Sequence, residues 1–289
     1  MTASVETLIA RAESLLLRLE GVLPAALPET NWSAHAFRWR RQQGRGFLQA
    51  VAHPHRIRLA DLQDIDAQKA LLVGNTCQFL RGLPCNNVLL TGARGTGKSS
   101  LFKALLTDFA AEGLRLVEVD KADLIDLPDI ADLLRDRPER FLIFCDDLSF
   151  DADEPGYKAL KVALDGSVAA AAENMLICAT SNRRHLMPEF MKENLETQYV
   201  GDEIRPGDTV EEKISLSERF GLWLTFYPFG QEAYLDIVRH WLGHFGINRL
   251  TPQTRKAALQ FALQRGSRSG RVAWQFARDW AGRQALRRS

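Results

Sequence analysis

The sequence has few cysteines, no long apolar segment and no excess of either charge. Its four cysteines, at positions 77, 85, 145 and 178, show no C-x-x-C spacing and no neighbouring histidine pattern, so neither a zinc site nor a disulfide framework is expected. No apolar run approaches the roughly 18 residues of a membrane span, and the amino-terminal residues lack the pattern of a secretory signal. We therefore expect a cytoplasmic protein that is not embedded in a membrane.

Charge is uninformative over the whole chain but uneven along it. The 37 basic and 36 acidic residues leave a formal net charge of +1, which favours neither nucleic acid nor membrane as a partner. Residues 31–60 hold six arginines, several aromatic side chains and no acid, residues 249–289 hold ten bases and one acid, and residues 108–154 hold fifteen acids against five bases. The basic segments either contact nucleic-acid phosphates, or they are solvated faces or contacts between subunits.

Short apolar runs alternate with helical patterns through the middle of the chain. The runs cover residues 87–91, 114–119, 141–145, 175–179 and 223–227. Continuous apolar runs are typical of strands buried on both faces, and their alternation with helices indicates a parallel sheet. The fold prediction is therefore α/β, a five-stranded parallel sheet flanked by helices, with one of those helices over residues 157–174.

The two ends of the chain show only helical or irregular patterns. Three helical patterns, over residues 232–245, 252–265 and 269–286, predict a small all-α lid domain. An apolar stripe predicts a first helix over residues 4–20. We divide the chain into residues 1–58, an N-terminal helix and basic linker, residues 59–228, the α/β domain, and residues 229–289, the lid. The polar residues 189–212 read as a surface insertion and a candidate partner-contacting loop.

The strongest motif is a glycine-rich loop between the first predicted strand and a helical pattern. Its residues are Gly92, Ala93, Arg94, Gly95, Thr96, Gly97, Lys98 and Ser99, which fit G-x-x-x-x-G-K-[ST], the P-loop or Walker A motif. Glycines let backbone N–H groups turn inward towards phosphate oxygens, and the following helix, which includes Ser100, presents its positive end to the same anion. Lys98 is expected at the β- and γ-phosphates of ATP, and the Ser99 hydroxyl is a ligand for Mg²⁺. The competing interpretation is a glycine turn that binds nothing.

Polar side chains follow two later strands. Asp146 and Asp147 end the run at 141–145, and Asn182 follows the run at 175–179. Because carboxyl ends of parallel strands share one edge of a sheet, these side chains are expected beside the glycine-rich loop. We assign Asp146 to Mg²⁺ and Asp147 to the attacking water, and Asn182 either holds that water or senses the γ-phosphate. An acidic pair that only caps the next loop is the alternative.

These motifs, in this order, resemble the AAA+ ATPase superfamily. The stretches GLPCNNVLLTGARGTGKSSL and TVEEKISLSERFGLWLTFYPF resemble, within it, an uncharacterised bacterial ATP-binding family known as a domain of unknown function. The resemblance covers residues 59–289. It implies that Asn182 is sensor 1, that Arg219 is an arginine finger supplied to a neighbouring subunit, and that Leu62 and Ile65 contact adenine.

The resemblance also implies a role for the lid and for assembly. Arg271 would be sensor 2, reaching the γ-phosphate from the lid, with Arg268 as its competitor. A homo-oligomer that uses Arg219 in trans is expected, and a surface salt bridge to Glu218 or Glu212 is the alternative for that arginine. Asp147 departs from the family pattern, where Glu is usual at this position, so hydrolysis is expected to be slow.

The function expected from the sequence is therefore an ATP-binding, Mg²⁺-dependent ATPase that couples nucleotide state to remodelling or regulation of a macromolecular partner. Two rivals remain open. A P-loop small-molecule kinase would use the same glycine-rich loop but transfer phosphate to a pocket-bound acceptor. A non-catalytic ATP-dependent switch or adaptor would bind ATP without turnover.

Overall fold

The computed structural model describes residues 2–20, 26–150, 154–165, 172–183, 198–200, 203–205 and 216–287. Within these ranges, no helix combines the length and the apolar character needed to cross a membrane. All four cysteines are free. Burial raises the pKa of the Cys145 thiol to about 12, which agrees with the prediction of reduced structural thiols.

A seven-stranded sheet forms the centre of the molecule. Its strands are β1 (Ala36–Gln42), β2 (Arg45–Ala50), β3 (Val88–Gly92), β4 (Leu114–Glu118), β5 (Arg140–Cys145), β6 (Met175–Ser181) and β9 (Leu222–Phe226). Their order across the sheet is β2-β1-β4-β5-β6-β3-β9. Every neighbouring pair is parallel except β1 and β2. Two further strands, β7 (Gln198–Val200) and β8 (Glu203–Arg205), form a separate antiparallel pair. The five strands predicted from the apolar runs are contiguous in the sheet, and the predicted α/β fold class is confirmed.

Helices cover both faces of the sheet. Helices α2 (Asp66–Leu80) and α3 (Lys98–Phe109) pack on one face, and α4 (Leu127–Leu134) and α5 (Pro155–Asp165) pack on the other. Along β5, Phe141 and Ile143 join one core while Leu142 and Phe144 join the other. This alternation explains the continuous apolar runs, because both faces of each central strand are buried.

The basic segment before residue 58 contains two strands that the linker interpretation did not predict. Strands β1 and β2 form a hairpin whose turn places Gln43 and Gly44 at positive φ, and β1 extends the sheet at β4. The Trp39 indole is buried and donates a 2.8 Å hydrogen bond from Nε1 to Asp126. The segment therefore belongs to the α/β domain from residue 36 to residue 50.

The arginines of this hairpin pair with acids of the same chain. Arg38 bonds Glu118, Arg40 lies 3.5 Å from Asp120, and Arg41 bonds Asp126. The hydrogen bond from Arg41 lowers the pKa of Asp126 below its ordinary 3.8, with a further contribution from Trp39 against the effect of burial. Basic residues in the sequence thus meet the acid-rich segment inside one chain, which weakens the case for residues 31–60 as a nucleic-acid contact.

Three helices form the predicted lid. They are α6 (Gln231–His244), α7 (Pro252–Gln264) and α8 (Gly270–Leu286), and they enclose a small core of their own around Tyr234, Val238 and Phe276. Thr251 caps α7 by accepting from the Thr254 amide, and Ser269 caps α8 by accepting from the Val272 amide, as expected of Ser and Thr at helix starts.

Two predictions fall partly on undescribed residues. The helix predicted over 157–174 is α5, which ends at Asp165, and residues 172–174 are not helical. The candidate partner-contacting loop at 189–212 lies outside the described residues except for β7 and β8. Helix α1 (Thr2–Glu20) covers the predicted first helix.

Candidate nucleotide-binding site

The glycine-rich loop turns tightly between β3 and α3. Gly92, Gly95 and Gly97 have φ values of 120°, 74° and 102°, a region that side chains with a Cβ rarely adopt. A Cβ on Gly92 would lie 2.0 Å from the carbonyl oxygen of Phe226 on β9. The glycines are therefore required by the fold of the loop, which turns tightly into a helix start, an arrangement that binds anions in other proteins.

Lys98 is the first residue of α3 and folds back over the loop. It is 5% exposed, and its Nζ donates to the carbonyl oxygens of Gly92 and Ala93 at 2.7 and 2.8 Å. Burial lowers the pKa of Lys98, while the nearby Asp147 and Asp146 oppose that shift and Arg94 adds to it. An anion bound in the loop would favour the charged form of this amine.

Asp146, at the end of β5, binds two hydroxyl groups. Its Oδ1 accepts from Ser99 Oγ at 2.5 Å and from Thr180 Oγ1 at 2.6 Å. The parallel register aligns Cys145 with Ala179 on β6, so the side chains that follow these two strands meet at one edge of the sheet. Carboxylate and hydroxyl oxygens are the ligands that Mg²⁺ prefers, and the structure places the two predicted metal ligands in direct contact.

Asp147 and Asn182 complete the arrangement. Asn182 Nδ2 donates to Asp147 Oδ1 at 2.5 Å, and Asn182 Oδ1 accepts from Lys98 Nζ at 3.1 Å. Asp147 has a φ of 52°, and its backbone N–H donates to Thr180 Oγ1 at 2.9 Å. A non-glycine residue in this region stores strain that the surrounding bonds must hold, a feature that clusters at functional sites.

The lid contacts the loop directly. The Gly270 amide, at the start of α8, donates to the carbonyl oxygen of Gly95 at 2.8 Å. A Cβ on Gly95 would lie 2.8 Å from Ser269 and 3.6 Å from the Cβ of Arg271. The Cβ of Arg271, the sensor 2 candidate, thus lies beside the glycine-rich loop. Its competitor Arg268 lies just before α8, and both arginines are exposed.

The predicted adenine contacts lie near Gly97. Leu62 and Ile65 are buried, and a Cβ on Gly97 would meet their terminal methyl groups at 3.8 and 3.6 Å. Two apolar side chains therefore lie beside Gly97. Ser99 and Ser100, in the first turn of α3, are both half-buried.

Arg219 occupies a different part of the chain. It follows the helical turn at 216–218, and its Nε donates to Asp165 Oδ1 at the end of α5, 2.5 Å away. The alternative interpretation of this residue is a salt bridge to Glu218 or Glu212; the structure shows a salt bridge to Asp165, and Glu212 lies outside the described residues. The role of Arg219 in trans stays a prediction.

Comparison with known proteins identifies the family. The model of the family described as "Protein of unknown function (DUF815)" matches residues 32–284. The chain belongs to the DUF815 family. The resemblance to an uncharacterised family is thereby confirmed, and it extends over the β1–β2 hairpin as well. No curated protein matches the chain significantly.

Solved structures similar to this DUF815 chain include the RuvB Holliday junction branch migration motor of Thermotoga maritima. The identity is 14%, the TM-score is 0.43, and the match covers 77% of this chain and 71% of the other. A single-residue variant of the same protein matches with the same identity and TM-score over 76% of this chain and 71% of the other.

Two partners of the predicted functional residues in this DUF815 chain received no role from the sequence. Thr180 bridges Asp146 and Asp147, and Asp165 binds Arg219. Thr180 stood in a run of three polar side chains at a strand end, which was a usable signal. Asp165 is 54 positions from its partner, and no local pattern marks it.

Proposed function

We propose that this chain binds ATP with Mg²⁺ at the glycine-rich loop and hydrolyses the nucleotide as an AAA+ type ATPase. One observation carries the proposal. Every residue predicted to act in cis at the phosphates lies in one continuous set of hydrogen bonds, which runs through Lys98, Asn182, Asp147, Thr180, Asp146 and Ser99. A glycine turn that binds nothing has no need of this network.

The residues present fit both groups. The three glycines carry no side chain, and their positive φ lets the backbone turn tightly, which suits close approach by phosphate. Ser99 and Asp146 supply hard oxygen donors from two elements. Bound Mg²⁺ would supply neutralisation of charge on the phosphates, and Lys98 would add a second positive charge beside them.

Asp147 and Asn182 are suited to hold the attacking water. The side-chain amide of Asn182 holds the Asp147 carboxylate by a hydrogen bond. A second hydrogen bond, from the Asp147 backbone N–H to Thr180 Oγ1, holds the backbone of Asp147. A carboxylate held in this way can accept a hydrogen bond from water and orient it. Because Asp is one methylene shorter than the Glu usual in the superfamily, we expect slow turnover.

The lid and a neighbouring subunit would complete the site. Arg271, at the start of α8, would reach the γ-phosphate, and the hydrogen bond between Gly270 and Gly95 makes the lid sensitive to the loop. Arg219 of an adjacent copy would act as the arginine finger. Such a group accelerates phosphoryl transfer by about 10³–10⁵-fold. Lid motion driven by nucleotide state would then act on a macromolecular partner.

Phosphate release measured against protein concentration tests this proposal. Variants Lys98→Ala and Arg219→Ala should each lose activity, and a mixture of the two should recover part of it, because each supplies what the other lacks. Arg239→Ala is the matched control, since Arg239 is an exposed lid arginine in an ion pair with Asp236. Turnover independent of concentration and unaffected by Arg219→Ala would contradict the oligomeric ATPase.

The same experiment separates the two rivals. ATP binding without phosphate release, even at high protein concentration, would favour the non-catalytic switch, for which Asp147 is the argument. ADP formation that needs a small-molecule acceptor, and that yields the phosphorylated acceptor in place of free phosphate, would favour the kinase.

A further inference from the structure

Helix α1 presents an apolar side to solvent. Five of its large apolar side chains are 51–71% exposed, namely Val5, Leu8, Ile9, Leu15 and Leu16. The helix lies outside the range that matches the family, residues 32–284. An exposed stripe of this size on a helix is typical of an interaction surface.

The stripe follows the spacing of a coiled coil. Val5, Leu8, Ala12, Leu15 and Leu19 succeed one another at intervals of three, four, three and four residues, which are the a and d positions of two heptads. Ile9 and Leu16 lie beside them at e positions. The apolar side is therefore centred on the a positions, and the b and g positions form its two edges.

The two edges carry opposite charges. Arg11 and Arg18 occupy g positions on one edge, and Glu6, Glu13 and Glu20 occupy b positions on the other. In a parallel two-fold pair of such helices, the basic edge of one helix faces the acidic edge of the other. In an antiparallel two-fold pair, edges of like charge would meet.

We propose that α1 pairs in parallel with α1 of a second copy of this chain. The charge pattern selects the occupant, because the helix is complementary to itself in this orientation. A lipid surface fits poorly, since the acidic edge lies along the apolar side and anionic headgroups would repel it. The proposal does not depend on nucleotide binding.

The expected association is weak and reversible. Pairing would bury ten half-exposed apolar side chains, five from each helix. Much of that gain is offset by the translational and rotational freedom that two chains lose on association. Two heptads thus give a dimer that forms at high concentration and separates on dilution, and pairing raises the local concentration of two ATPase domains.

Sedimentation equilibrium of the full chain without nucleotide tests the proposal. The wild type should shift from 32.5 kDa towards twice that mass as concentration rises, and removal of residues 2–20 should abolish the shift. The double variant Arg11→Glu with Arg18→Glu makes both edges acidic. Each exposed contact is weak on its own, but the change replaces attraction by repulsion along both edges, so it should raise the dimer dissociation constant about tenfold or more.

A reciprocal charge exchange and a cross-link test the orientation. The triple variant Glu6→Arg, Glu13→Arg and Glu20→Arg should also weaken self-association, because both edges become basic. Mixing it with the double variant Arg11→Glu and Arg18→Glu should restore a dimer. Val5→Cys should cross-link to its own copy under oxidation, with the wild type as control. In an antiparallel pair, two such cysteines would lie about 21 Å apart at 1.5 Å per residue.

Circular dichroism melting shows whether each variant remains folded. Self-association that persists after removal of residues 2–20 would overturn the proposal. Self-association that is insensitive to all the charge variants would also overturn it. Binding to phospholipid vesicles that requires residues 2–20, without self-association, would also overturn it.

Discussion

Replacement of Thr180 by valine tests the role that the structure gives to the residue between the two aspartates. Valine keeps the shape of threonine but removes the hydroxyl, which donates to Asp146 and accepts from the Asp147 backbone. Thr180 is 2% exposed, so water has little access to replace it. The change therefore isolates one hydroxyl group.

The magnitude follows from the two hydrogen bonds. A hydrogen bond to a charged group contributes about 1.5–3 kcal/mol and a neutral one about 0.5–1.5 kcal/mol. We therefore expect Thr180→Val to lower the free energy of unfolding by about 2–4.5 kcal/mol. Residues that orient a metal ligand typically change metal affinity by about 10–100-fold when they are replaced. The Mg²⁺ concentration needed for half-maximal ATP binding should rise by a similar factor.

The assay is ATP binding by calorimetry across a Mg²⁺ series, with urea unfolding of the same samples. Thr180→Ser is the matched control, because it keeps the hydroxyl and loses only a methyl group. It should retain the wild-type Mg²⁺ dependence at a stability cost of about 0.5–1.5 kcal/mol. Equal Mg²⁺ dependence in Thr180→Val and wild type would refute the claim that this hydroxyl positions the metal ligand.

Two further substitutions test the loop and the hairpin. A non-glycine residue in the left-handed region costs about 1–2 kcal/mol, and Gly95→Ala should destabilise the fold by more than this, because its Cβ would also meet Ser269. The control is Gly113→Ala, where φ is positive but the space around the residue is open. Urea unfolding of this control should show only the cost of the left-handed backbone. Trp39→Phe should lower the free energy of unfolding by about 1.5–3 kcal/mol at neutral pH. The pKa of Asp126 is lowered in the fold from its ordinary 3.8, so the difference between variant and wild type should shrink below pH 3.8 as this carboxylate becomes protonated. Unfolding at several pH values measures the difference. A constant Trp39→Phe difference down to acid pH would contradict that assignment.

Much of the site was predictable because its residues stand at strand ends in a parallel sheet. The apolar runs before Gly92, Asp146 and Asn182 predicted three strands, and parallel strands bring their carboxyl ends to one edge. The structure confirms that these runs are neighbouring strands, and it joins their terminal side chains by hydrogen bonds. The roles of these residues in binding and hydrolysis stay predictions.

The hairpin was missed because its pattern was read as charge alone. In β1 the buried Phe37 and Trp39 alternate with Arg38 and Arg40, which is the two-residue period of a strand with one face in the core. The excess of arginine drew attention to outside partners instead. Their acidic partners lie about 80 positions away, and only the tertiary fold brings them together.

Calorimetric titration of the purified chain with ATP and Mg²⁺ is the most direct test of the central claim. We expect saturable binding by the wild type, strong loss of affinity in Lys98→Ala, and near wild-type binding in Lys103→Ala, which removes a lysine of the same helix away from the loop. Absence of ATP binding by the folded wild type, or equal binding by both lysine variants, would contradict the claim.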